Sequence, residues 1–427
     1  LVIIQVNLKR YLVRFLNSRK SANMFHDTLV SFAERRIIIM KKTKTLTITI
    51  LALFLLAGCK NDITTKNKDV TTKNSDMLTI YNDENISFGL DEKNKIKQWA
   101  FDNDGTFDYF MNDIENWGDN PQKSRKNCDI NYVSDDMSNE SVETIIAIID
   151  TSFSIDKYSM RDSVWINLNE IENDGLDNDR NGYVDDIRGY NFCELNPFID
   201  NDAVHGTAIL GLMCAKPEIN GYKNIIGNYN IKIMCVKALD DVSESASIDR
   251  VIEAIKYAET NGANVCCLSF GTIIYNKKFH ETIKNSKMLF VVASGNDGYN
   301  IDEEIPFYPA SFNESNIITV ASMRSDGKFD CTSNYGTTSV DLVAPGTDVV
   351  SVTPSGRFSY FSGTSYAVPF VGGTAAKIYN LNENNISSSD VKKIVIDNVK
   401  VSKELGVYVK SSGMLNEKAA VENCFEY

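Results

Sequence analysis

Four polar residues stand where short apolar runs stop, and their chemistries fit together as one reaction. The run Ile145-Ile146-Ala147-Ile148-Ile149 leads into Asp150-Thr151-Ser152 and leaves a carboxylate where a hydrophobic strand ends. His205-Gly206-Thr207 opens an apolar helix. The chain has three histidines, His26, His205 and His280, of which His280 lies in a charged helical stretch, Lys277-Lys278-Phe279-His280-Glu281, that reads as surface. Imidazole is the side chain whose ordinary proton affinity suits transfer near pH 7, so His205 is the candidate general base. Ser365 lies in Phe361-Ser362-Gly363-Thr364-Ser365-Tyr366-Ala367-Val368-Pro369, at the first turn of a small-residue helix, and Gly363 lets backbone approach a bound acyl group. A hydroxyl attacks well only when a base takes its proton, and the base needs a carboxylate to fix its tautomer and stabilise the imidazolium. Asn296, in Ala293-Ser294-Gly295-Asn296 after another apolar run, carries an amide that could donate to the negative oxygen of a tetrahedral intermediate. Taken singly, each has a plainer reading: a capping Asp, a structural His, a Gly-Asn turn.

These residues need a scaffold that brings strand ends together. Strand patterns are predicted at 144–149, 231–238, 263–270, 288–293 and 317–321, with helical patterns at 206–214, 247–260, 277–285 and 365–379 between and after them. The alternation predicts an α/β fold: a mostly parallel sheet with helices on both faces and its ligand crevice at the carboxyl ends of the strands.

Composition narrows the partners. The 427 residues are 24% charged and 43% hydrophobic, as in globular proteins, and the net charge of −13 leaves no basic surplus for nucleic acid. Residues 1–58 hold ten Lys and Arg against two acids, a surplus of +8, so the remainder carries −21. Met40-Lys41-Lys42, the apolar run at 45–57 and Leu56-Ala57-Gly58-Cys59 form an export signal, residues 40–58. Residues 45–58 would reach about 21 Å as a helix, short of the roughly 30 Å hydrocarbon core. Residues 1–39 precede this better start and are set aside as upstream sequence. Residues 59–95, rich in Lys, Asn, Asp and Thr, read as a tether, so no independent folding propeptide is expected. The cysteines have no metal-ligand spacing, and Cys214, Cys235, Cys266 and Cys267 lie in apolar runs, so mostly free thiols are expected.

The order Asp, His, Asn, Ser, with Ile149-Asp150-Thr151, His205-Gly206-Thr207, Ala293-Ser294-Gly295-Asn296 and Gly363-Thr364-Ser365-Tyr366-Ala367-Val368-Pro369, resembles the subtilisin-like serine endopeptidases, the subtilases. The likeness runs from about Gln98-Trp99 to Asn416. It implies a subtilisin-like three-layer domain over residues 96–427, with Ser365 as nucleophile, His205 as proton shuttle, Asp150 as orienting acid and Asn296 as oxyanion donor. Ser269, Phe270 and Gly271 resemble the segment that pairs with substrate backbone, and Ser294 and Gly295 line the same cleft. Leu56 to Cys59 resembles a bacterial lipobox, which implies lipid on Cys59 and an extracytoplasmic, membrane-anchored, monomeric enzyme whose partner is a peptide or protein substrate. Two other readings share the motifs: a maturation protease dedicated to one secreted peptide, and a non-catalytic calcium-binding surface protein. Ser152 replaces the family's glycine after Asp-Thr, and Phe370 and Gly372 replace a common His and Ala.

Between Asp150 and His205 lies an acidic insertion. Asp177, Asp179, Asn181, Gly182, Tyr183 and Asp185 match loop positions 1, 3, 5, 6, 7 and 9 of a calcium loop, while Arg188 stands at position 12, so Asp186 or an outside acid such as Glu172 must complete the shell. Ca2+ is the expected cofactor. Phe307 is expected near the pocket for the side chain before the scissile bond, where it would narrow it. The acids Asp297, Asp302, Glu303 and Glu304 nearby predict a mild preference for basic peptides.

Overall fold

The computed structural model describes Ala100 and residues 142–217 and 222–425; the readings at 1–39, 40–58 and 59–95, Cys59 included, lie outside the described residues. In chain order the main elements are β1 Thr144–Asp150, β2 Gly189–Asn191, α1 Val204–Cys214, β3 Ile231–Lys237, α2 Ile248–Thr260, β4 Val265–Leu268, α3 Lys277–Asn285, β5 Leu289–Ala293 and β6 Ile317–Met323. There follow β7 Leu342–Pro345, β8 Val349–Val352, β9 Phe358–Phe361, α4 Thr364–Leu381, α5 Ser388–Asp397, β10 Lys400–Val401, β11 Gly413–Met414 and α6 Glu417–Glu422.

Nine strands form one sheet in the order β10-β11-β7-β6-β5-β4-β1-β3-β2, parallel throughout except for the β10/β11 pair, and β8 and β9 form a separate antiparallel ribbon. Residues of β4, β5 and β6 are buried on both faces, which is why these strands read as continuous apolar runs rather than alternating ones. Both faces of the sheet are therefore covered, as the α/β pattern predicts. The order β5-β4-β1 sets three carboxyl ends side by side, those that lead into Ser294, Ser269 and Asp150.

Two surface helices begin at sequence-legible caps: Ser247 Oγ accepts from Arg250 N and Asn276 Oδ1 from Phe279 N. α4 differs, because it is buried from Thr364 to Asn380. Its small residues allow that depth. A Cβ on Gly372 would lie 2.6 Å from Cys267 Sγ on β4, so a larger residue is excluded where the family commonly has Ala. Deep on α4, Lys377 pairs with Glu417 of α6 at 2.7 Å. All seven described cysteines are free thiols. Burial pushes the Cys214 and Cys267 thiols up to about 12, so they act as small hydrophobes. No helix among the described residues is long and apolar enough to cross a membrane.

Candidate active site

The site assembles at those three strand ends and two helix starts. Asp150 is the last residue of β1 and is fully buried; His205 is the second residue of α1. Their side chains meet: His205 Nδ1 lies 2.7 Å from Asp150 Oδ1. An ionised carboxylate only accepts, so Nδ1 carries the proton and Nε2 is the basic nitrogen of the neutral ring. Burial of the ring lowers its proton affinity, but the Asp150 charge and hydrogen bond, with the Glu244 charge, outweigh this and leave the His205 pKa raised. His205 Nε2 is buried and has no hydrogen-bond partner.

Local chemistry explains how β1 and α1 come so close. Thr151 Oγ1 donates to Asp150 Oδ1 and accepts from Gly206 N at 3.0 Å, which ties the strand end to the helix start. A Cβ on Gly206 would fall 2.7 Å from the Ser152 carbonyl oxygen, so the residue after His205 must be glycine. Ser152, the departure from the family's Asp-Thr-Gly, is held by Asp241, whose two oxygens accept from its N and Oγ at 2.9 Å. The turn keeps its course, and Asp150 is undisturbed.

Ser365 is the second residue of α4, and its Oγ donates to the Ser269 carbonyl at 2.9 Å; no hydrogen bond joins it to His205. The expected alcohol-to-imidazole contact is thus not made in this rotamer. The ring of His205 lies 5.7 Å from that of Tyr366, the next residue on α4. Ser269 Oγ returns a bond of 3.0 Å to the Ser365 carbonyl. That carbonyl is available because residue 369, four positions on, is proline and has no N–H to offer it. The interior Pro369 and Ser269 therefore act together to fix the helix start against β4.

Asn296 follows β5, and its Oδ1 accepts from Thr364 N at 2.8 Å and from Thr364 Oγ1 at 3.0 Å. Two donors on one side of the amide fix its orientation, so Nδ2 is the free donor facing the start of α4. Asn334 supports this loop from below: its Nδ2 donates to the Ser294 carbonyl, and its Oδ1 accepts from Asp297 N and Tyr299 N, each at 3.0 Å. Ser294 is fully buried and Gly295 takes φ 100°, so these two shape the loop from within. Thr364 and Asn334 were not assigned from sequence. Thr364 had a signal, as it sits inside the serine motif; Asn334 lies 38 residues from Asn296 and had none. Phe270 and Gly271 run on from Ser269, and among the described residues neither backbone makes a backbone hydrogen bond.

In the acidic insertion, Glu170, Asp177 and Asp179 bring one carboxylate oxygen each within 4.8 Å of one another. Asp186 is fully buried beside them, and burial pushes its pKa up to about 6 against the donors Tyr257, Asn181 and Asn167. Three sequence expectations are revised. The acid that groups with Asp177 and Asp179 is Glu170, where Glu172 was expected. The Asp185 carboxylate turns away and accepts from Asp174 N at 3.2 Å and Gly175 N at 3.1 Å. Asn181 Oδ1 is engaged by Tyr183 N at 2.8 Å, and its Nδ2 faces Asp179 and Asp186. The loop is closed around Asp177, whose oxygens accept from Asn181 N and Gly182 N, rather than as a complete EF-hand.

An acid and imidazole held together beside an alcohol and an amide, at the strand ends of a parallel sheet, define a serine-hydrolase class of site. The chain belongs to the subtilase family, whose model matches residues 141–417. It is 34% identical over 241 residues to the thermophilic serine proteinase of Bacillus sp. (strain AK1), covering 55% of this chain and 56% of that one. It is 31% identical over 265 residues to the cell wall-associated protease of Bacillus subtilis (strain 168), covering 60% and 26%. The chain thus spans about half or less of the length of these curated relatives. Among solved structures, the epidermin leader peptide processing serine protease of Staphylococcus aureus shares the fold, with a TM-score of 0.53 and 21% identity over 66% of this chain and 76% of that one.

Proposed function

We propose that this protein is a serine endopeptidase that cleaves peptide bonds through an acyl-enzyme. The observation that carries the reading is the buried bond between Asp150 and His205, which leaves a basic, unpartnered Nε2 next to the start of α4. Rotation of Ser365 about χ1 transfers its hydroxyl from the Ser269 carbonyl to Nε2. The ring takes the proton as Oγ attacks, Asn296 Nδ2 and the Ser365 N–H hold the oxyanion, and the imidazolium, steadied by Asp150, protonates the leaving amine. Water activated by the same ring releases the acyl group. The unpaired backbone of Phe270 and Gly271 supports docking of the substrate as an added strand. Hydrolysis of an internally quenched peptide library tests the reading: the wild type turns over, and Ser365→Ala lowers kcat by about six orders of magnitude. Equal rates for the two proteins would reject it.

The acid cluster fits a hard, oxygen-seeking cation, since three carboxylates within reach of one another repel without one. In this proposal Glu170, Asp177 and Asp179 hold Ca2+ with Asp186 behind them, and the ion serves stability. We further propose export and lipid attachment through Cys59, which places a monomeric enzyme outside the cytoplasm on a bacterial membrane. Loss of radiolabelled-palmitate incorporation in Cys59→Ala is the expected result, and retention would refute the anchor.

A further inference from the structure

The two segments that flank the nucleophile part beyond the strands that carry them. Residues 269–271 leave β4 and residues 294–296 leave β5, its parallel neighbour, and both touch the start of α4. Phe307 lies across the gap. A Cβ on Gly271 would fall 2.6 Å from its Cζ, and one on Gly295 would fall 3.2 Å from its Cε1, so the edge of the ring rests on both backbones. The ring is held there. Phe307 N donates to Ser311 Oγ at 3.1 Å, its carbonyl accepts from Ser311 N at 2.8 Å, and the next residue, Tyr308, exchanges backbone bonds with Thr272 at 2.7 and 2.8 Å. Gly271 is needed for this contact, since a Cβ there would displace the ring, whereas one on Gly295 would press it by only a few tenths of an ångström and collide instead with Asn334 Nδ2.

The geometry of attack decides what meets that ring. An acyl carbon on Ser365 Oγ points its oxygen at Asn296 Nδ2 and its leaving group at His205, which must protonate it. Its remaining bond, to the α-carbon, points away from His205. We propose that the side chain on that carbon enters the gap between 269–271 and 294–296 and that Phe307 closes this gap to all but small side chains, so that the residue whose carbonyl is attacked is Gly, Ala or Ser. The proposal rests on the endopeptidase reading above and adds its substrate class. The four acids beside it, Asp297, Asp302, Glu303 and Glu304, are all exposed to solvent, which weakens their pull on a Lys or Arg. Asp302 commits its oxygens to Thr338 N at 2.8 Å and Ser339 N at 3.0 Å, and Glu303 and Glu304 stand exposed on the surface.

A series of tripeptide anilides that differ only in the last residue, Ala, Leu, Phe or Lys, tests this on the full chain, with fluorophosphonate labelling of the same preparation as the measure of intact serine chemistry. Misfit of even one methylene in an apolar pocket is worth about 10- to 200-fold, so kcat/KM for Ala should exceed that for Phe by at least about 100-fold. Phe307→Gly should raise the ratio of kcat/KM for the Phe anilide to that for the Ala anilide by about 100-fold. Should that variant not fold, Ala- and Phe-ended peptide boronates on the wild type give the same comparison through their inhibition constants. Labelled protein that cleaves after Phe or Lys as readily as after Ala overturns this inference alone. Folded protein that neither labels nor cleaves overturns the endopeptidase reading and this inference with it.

Discussion

Replacing Asp150 by Asn keeps the shape of the site and removes one charge. Asp150 Oδ1 accepts from His205 Nδ1 at 2.7 Å and from Thr151 N at 2.7 Å, and an amide oxygen can accept both. The amide nitrogen then occupies the place of Oδ2, which is buried and has no partner, at a cost of about 1–3 kcal/mol in stability. The effect on the reaction is larger. Two unit charges about 4 Å apart interact by about 4 kcal/mol at an effective dielectric constant of about 20, and that attraction favours the imidazolium formed as Ser365 attacks. At about 1.4 kcal/mol per tenfold, kcat should fall roughly 1,000-fold. The pH profile gives a second, independent reading. Burial lowers the His205 pKa, but the Asp150 charge outweighs it and raises it, and the free enzyme needs the ring neutral. The wild type should therefore lose kcat/KM as pH falls through a value above the ordinary imidazole range, and Asp150→Asn should move that limb to lower pH. Stability runs the other way: the pair's contribution is full below the unfolded imidazole value and is lost as pH rises through the raised one. Steady-state kinetics on an Ala anilide from pH 5 to 9, with unfolding midpoints as a control, measure all of this. A folded variant within about tenfold of wild type, or with an unmoved acid limb, would refute the reasoning.

Three further outcomes are expected. Lys377→Met leaves the Glu417 carboxylate buried and unpaired and should cost about 3–5 kcal/mol by urea denaturation, while Lys377→Met with Glu417→Leu should recover most of it. Chelation should lower the melting temperature by several degrees, and Ca2+ should restore it; binding at about 100 times Kd is worth about 2.7 kcal/mol, and an unchanged melting curve would count against the site at Glu170, Asp177 and Asp179. Asn296→Ala should lower kcat by about 100- to 1,000-fold with little change in KM, since the Nδ2 donor it removes meets the charge that develops in the transition state.

The site was legible in sequence because each reactive residue follows an apolar run or opens a small-residue helix, so position along the chain already placed it at a strand end. β1 and β3 to β6 were legible for the same reason, as strands buried on both faces. The remaining strands were not. β2, β10 and β11 are two or three residues long and owe their pairing to neighbours far away in the chain, which no local pattern records. The helix at 365–379 was legible in spite of Pro369, but the compensating bond from Ser269, nearly a hundred residues earlier, was not. The cation loop reads as a calcium loop because its spacing matches positions 1 to 9, with Arg188 at position 12 calling for an acid from elsewhere. Glu172 was named in place of Glu170, two residues earlier, because the local fold decides which of the two turns inward: Glu170 Oε1 accepts from Asn178 N at 2.7 Å and Asp179 N at 3.0 Å and its Oε2 from Asp185 N at 3.1 Å. The orientation of the Ser365 hydroxyl toward Ser269 is likewise a matter of rotamer and not of sequence.

Mass spectrometry of the fluorophosphonate adduct on the full chain bears most directly on whether an activated alcohol exists here. The phosphonyl group should sit on Ser365 and not on the neighbouring Ser362, be absent from Ser365→Ala, and form far more slowly on His205→Ala. Modification of another residue, or an unmodified Ser365 in folded protein, would contradict the account.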